Sequence, residues 1–63
     1  MTPREKEVLK LLAEGKSSKQ IAQQLGVSFK TVSSHREHIM AKFDVHTTVG
    51  LVRAAIRAGM IEP

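Results

Sequence analysis

Three histidines, His35, His38 and His46, are the first residues of this chain that could do chemistry. His35 and His38 are three apart, workable spacing for two zinc ligands on one helix. No third ligand stands at a defined spacing from them and there is no cysteine, so no metal is expected. Ser34, His35 and Glu37 contain the residue types of a hydrolytic triad. Neighbours on one helix point in different directions, so these three cannot form a proton relay. No glycine-rich phosphate loop is present, and 63 residues leave little room for a substrate cleft. Neither catalysis nor a cofactor is expected. What remains is Lys30, Ser33, Ser34 and Glu37. Their ammonium, hydroxyl and carboxylate groups can address base edges or phosphates.

A helix must hold those four residues. Advancing about 100° per residue gathers Val32, Ile39 and Phe43 into one apolar stripe. His35 and Arg36 fall at its margins. The opposite face collects Lys30, Ser33, Ser34, Glu37 and Ala41, with no large apolar residue to bury. Its side chains are short near the helix start, so the helix could sit deep in a groove. A solvated helix face of ordinary composition has the same pattern. The preceding residues decide between the two. Ile21, Ala22 and Leu25 give a short apolar stripe, and Ala22 is small where a crossing helix must come close. Gly26 follows where a chain leaving a helix turns left-handed. Val27 can drop into the core and Ser28 can cap the next helix. This is the layout of a helix-turn-helix, whose second helix enters the DNA major groove.

Charge points the same way. The net charge of +4 belongs wholly to residues 16–43, where Lys16, Lys19, Lys30, Arg36 and Lys42 face Glu37 alone. The flanking segments are neutral, so the clustering suggests a polyanionic partner. Phe29 and Phe43 are the only aromatic residues, so base stacking is not expected to be the main mode of binding. No apolar run approaches the roughly 18 residues of a membrane span.

The rest of the chain reads as an all-α, four-helix bundle in one domain, 1–63. Helix one is expected at about 3–14, with Thr2 as cap, Pro3 in its first turn and Glu5 completing a capping box. Val8, Leu9, Leu11 and Leu12 are its core residues and Gly15 ends it. Ser17 and Gln20 have capping-box spacing before a helix at about 18–25. Ser18 and Lys19 then sit at a helix N-terminus, where a phosphate is favoured. The third helix runs about 29–43, with Thr31 in its first turn and Asp44 after it. Thr47 caps a fourth helix at about 48–58, more weakly because Gly50 cannot return the box. That helix has two apolar stripes. Val49, Val52 and Ile56 are expected to close the core. Leu51, Ala54, Ala55 and Ala58 form a flatter stripe that could pack on a second copy. Gly59 ends the helix, Met60 and Ile61 are expected to tuck back, and Pro63 stops the chain.

The chain resembles the DNA-binding domain of LuxR/FixJ-type bacterial transcription regulators, the NarL-like response regulators of two-component systems included. The resemblance rests on Thr2-Pro3-Arg4-Glu5-x-Glu7-Val8-Leu9, Leu12-Ala13-x-Gly15 and Lys19-x-Ile21-Ala22-x-x-Leu25-Gly26-Val27-Ser28. It continues through Thr31-Val32-x-x-His35 and Val49-x-x-Val52 to Ile61. It implies a cytoplasmic DNA-binding domain whose third helix reads the major groove and whose fourth pairs two copies. Base contacts would come from Ser33, Ser34 and Glu37. DNA backbone contacts would come from Ser18, Lys19, Lys30, Thr31, His35 and Lys42. Three residues depart from the family pattern. Glu37 stands where many members are basic or neutral, Asp44 replaces a usual glycine, and Gly50 replaces a common acidic residue. Members usually carry an amino-terminal receiver or ligand-binding domain. Because helix one begins directly after Met1, the expectation is an excised domain or a small stand-alone regulator.

Two alternatives stand beside sequence-specific binding of double-stranded DNA as a homodimer. A sigma-factor region-four-like module has a similar start and would bind RNA polymerase as well as promoter DNA. A protein-interaction bundle would never touch DNA.

Overall fold

Side-chain caps begin every helix. In this computed structural model, which describes residues 1–62, Thr2 Oγ1 accepts the Glu5 N–H at 3.1 Å. The Glu5 carboxylate accepts the Thr2 N–H at 3.3 Å in return. The same reciprocal box joins Ser17 and Gln20, at 3.1 and 2.9 Å. Ser28 and Thr47 each supply a single cap, to the N–H groups of Thr31 and Gly50. Each side-chain oxygen satisfies an N–H that the first helical turn would otherwise leave open. The helices are α1 (Pro3–Ala13), α2 (Ser18–Leu25), α3 (Phe29–Phe43) and α4 (Thr48–Arg57). Among the described residues there is no strand. Pro63, read above as the stop of the chain, lies outside the described residues.

Two ends fall one residue short of the sequence expectation. Glu14 and Ala58 cap α1 and α4, with ψ of −1° and −3°, instead of continuing them. Gly15 and Gly59 follow at φ +89° and +74°. The chain is already leaving the helix to reach that left-handed glycine.

The core forms where α3 meets the other three helices. Leu9, Ile21, Ile39, Leu51, Val8 and Val32 are sealed from solvent, and Ala22 lies against them. Leu25, Val27, Phe43 and Ile61 pack around this centre, partly buried, while Met60 keeps 38% of its surface exposed. The bend from α2 to α3 is made at Gly26, at φ 70° and ψ 32°. Its conformation lets the Val27 N–H reach back to the Ala22 carbonyl at 3.0 Å and turns Val27 onto the core. Asp44 makes the equivalent exit from α3 at φ 53°, the one left-handed residue that is not glycine among the described residues.

Helix α4 corrects the sequence reading. Leu51 and Ala55, expected on a pairing surface, have no solvent exposure and belong to this chain's own core. Ala54 is half-buried and Ala58 exposed. Leu51 and Ala55 are one turn apart at the centre of the side that meets α1 and α3. The small Ala55 permits that close approach. The stripe expected to close the core faces outward instead, with Val49 69% exposed and Val52 and Ile56 half-buried. The sequence favoured the bulkier stripe for the interior, but Leu51 beside the small Ala55 is the pair that fills it.

The left-handed exits from α2 and α3 give stability changes of opposite sign. A Cβ at Gly26 meets no atom within 4 Å, so Gly26→Ala is opposed by backbone strain alone. It should destabilise by about 1–2 kcal/mol. Asp44→Gly removes strain and should stabilise by up to about 1 kcal/mol, less what the looser unfolded chain takes back. Urea unfolding of both variants reads the two signs.

Candidate nucleic-acid interface

One face of α3 stays free of the core. Lys30, Ser34, Glu37 and Ala41 are exposed along it, and Ser33 is half-buried at its edge. The reason is the helix period: Val32 and Ile39, opposite, are fully buried and fix the rotation of α3 about its axis. The Gly26–Ser28 turn sets where that face begins. Ser28 Oγ accepts the Thr31 N–H at 3.0 Å and lies 2.9 Å from Thr31 Oγ1. The exposed Thr31 hydroxyl is therefore part of the cap. At the start of α2, Ser18 is half-buried and Lys19 exposed. Ser17, not Ser18, is the capping residue, which leaves the Ser18 hydroxyl outside the box.

His35 does not lie on the free face. Its side chain is 25% exposed, and Nδ1 lies 3.8 Å from Glu5 Oε2 of α1. His38 Nδ1 reaches the same oxygen at 3.6 Å from a mostly exposed position. The exposed Lys42 lies one turn beyond His38 on that flank. Of the expected backbone contacts, His35 and Lys42 thus border the free face on the side of α1. Sequence reasoning gave Glu5 only its capping role, yet its side chain is 8% exposed. A signal for this was present, because Glu5, Val8, Leu9 and Leu12 share the spacing of one buried helix side. The Thr2 N–H, then Lys42 and His35, hold the Glu5 carboxyl below its ordinary value, although burial pushes the other way.

Arg36 ties α3 to α4. Its guanidinium donates to Thr48 Oγ1 at 3.0 Å, while Nε is buried without an acceptor. Phe29, the first residue of α3, stands in the open at 59% exposure. Among the described residues, no group of three or more His, Cys, Asp or Glu side chains is arranged to hold a metal ion. No helix there is long and apolar enough to cross a membrane.

Comparison with known proteins gives this arrangement its relatives. Residues 1–55 match the family described as bacterial regulatory proteins, luxR family. The chain is 48% identical over 60 residues to the uncharacterized response regulatory protein YgeK of Escherichia coli (strain K12). That match covers 95% of this chain and 41% of YgeK. Superposition on ChrA, the response regulator of a heme-sensing two-component system, gives a TM-score of 0.92 at 35% identity. It covers 95% of this chain and 30% of that one. VqmA of Vibrio cholerae, solved with ligand and DNA, gives 0.88 at 37% identity, over 95% of this chain and 26% of VqmA. The chain thus spans less than half the length of these relatives.

The Glu5 contacts make stability depend on pH. A carboxyl whose value is lowered by folding adds stability above its unfolded value, and loses it as pH falls through the folded one. Stability should therefore begin to fall near the ordinary glutamate value of 4.5 and continue to fall below it. Glu5→Gln should be less stable than the parent at pH 6 and should flatten this part of the profile. Urea midpoints between pH 6 and pH 3 measure it.

Proposed function

The chain belongs to the luxR family of bacterial regulatory proteins, and from that premise we propose that it binds double-stranded DNA sequence-specifically to control transcription. The family is one of regulators and not of enzymes. Residues 1–63 would act as one DNA-binding module, with α3 in the major groove. Acting on bacterial DNA, it would work in the cytoplasm.

The observation that carries this reading is the free face of α3 behind a fully formed turn. Lys30, Ser34 and Glu37 are exposed there while Val32 and Ile39 opposite them are sealed. A helix inserted into the major groove needs this division between a polar outer face and a buried anchor. Ser34 and Glu37, with Ser33 at the edge, are the proposed base contacts. A carboxylate at Glu37 would accept from a cytosine amino group. Lys19 and Ser18 at the start of α2, with Lys30 and Thr31, are the proposed phosphate contacts, and His35 and Lys42 flank them. The clustered positive charge of residues 16–43 supports the same partner. The likeness to VqmA, solved with DNA, adds to it.

Pairing of two copies through α4 is the second part of the proposal. Its surface is the outward stripe of Val49, Val52 and Ile56, because Leu51 and Ala55 are committed to the core and Ala54 and Ala58 lie on the far side of them. Half-sites would lie about one helical turn apart.

Selection from a random duplex library should enrich a motif. Log affinity for the winner should fall with log salt by roughly 0.9 per phosphate neutralised. Absence of binding at low salt would sink the proposal. Lys19→Ala should weaken binding to all sequences alike and reduce the salt slope by about 1. Glu37→Ala should change which base is preferred, and an unchanged preference would show that the reading face is misassigned. Val49→Asp should abolish cooperative binding to paired half-sites and leave single half-site affinity intact, as read by gel shift.

A further inference from the structure

Phe29 has no role in the core and none in the contacts proposed so far. It is the first residue of α3, directly after the Ser28 cap, and it is 59% exposed. A single exposed apolar side chain is ordinary on a protein surface. Its place on α3 is what gives Phe29 meaning. Helical side chains lean toward the N-terminus, so the ring covers the space ahead of the first turn. Lys30 follows it, and Ser33 stands one turn further along the same side. The N-terminal residues of a groove helix are the ones that meet base edges. The major groove presents one bulky apolar group, the 5-methyl of thymine.

We propose that Phe29 is a specificity-determining residue that reads thymine through its 5-methyl group. This rests on the reading of α3 as the groove helix. Ring and methyl shed water together where they meet. The contact needs no hydrogen bond, so it adds a preference that Ser34 and Glu37 cannot express.

The test replaces thymine by uracil, which differs only in that methyl, one position at a time in the duplex selected from the library. At one step beside the start of α3, uracil should weaken binding roughly fourfold, the worth of about one buried methyl-sized group. Phe29→Ala should bind the thymine and uracil duplexes equally, with an unchanged urea midpoint because the ring is exposed. Phe29→Leu should keep part of the difference. The inference is overturned if the motif has no thymine under α3, if uracil is tolerated everywhere, or if Phe29→Ala keeps the discrimination. It is also overturned if Phe29→Ala weakens thymine and uracil duplexes alike while both still distinguish the methyl, which would place the ring on sugar or on another protein. Loss of all duplex binding by the parent protein at low salt is a different result. It removes the groove-helix reading itself, and this inference with it.

Discussion

Val32 and Ile39 lie on the inner side of α3, and the other three helices close over them. A chain this short buries only about 60% of its unfolded surface, so it has little apolar area to spare. Among the described residues seven side chains are sealed at its centre, two of them on α3. The helix that offers a polar face to the outside is thus also the helix around which the interior is assembled. Its rotation cannot drift without exposing Ile39 or burying Glu37, and burial of an unpaired carboxylate is costly. Placement of the free face follows from packing of the other one.

Local rules made most of this legible from residues alone. Thr2, Ser17, Ser28 and Thr47 are each a hydroxyl placed three residues before an open N–H, and each caps its helix. Gly26 and Asp44 stand where the backbone must turn left-handed, and both do so. The division of α3 into sealed and open sides needed only the helical period. What stayed hidden depended on contacts between helices. Both sides of α4 carry an apolar stripe, and the one buried is the flatter, set by the fit of Leu51 and Ala55 against α1 and α3. The pairing of Arg36 with Thr48 spans twelve positions and leaves no pattern in the sequence.

Glu5 shows how one side chain serves two levels of structure. Its first oxygen closes the capping box of α1, and its second faces His35 and His38 across the helix interface. A carboxylate can accept several donors at once. The local start of one helix and the docking of another are therefore joined in a single group. Lys42, on the same flank, adds an attractive charge. The α1–α3 contact gains a polar cluster beside its apolar one, and the histidines that resemble half a metal site stand at its edge.

The separation of duties on α3 also bears on how such domains diversify. Lys30, Ser34, Glu37 and Ala41 are all exposed and none belongs to the core. Replacements at surface positions of this kind usually alter stability by no more than about 0.5 kcal/mol. The outward alphabet can therefore be rewritten while the scaffold is kept. Under the proposed reading of that face, copies of one ancestral domain could drift through many target preferences without crossing an unfolded intermediate. A population of paralogues with a shared shape and private addresses is the natural outcome.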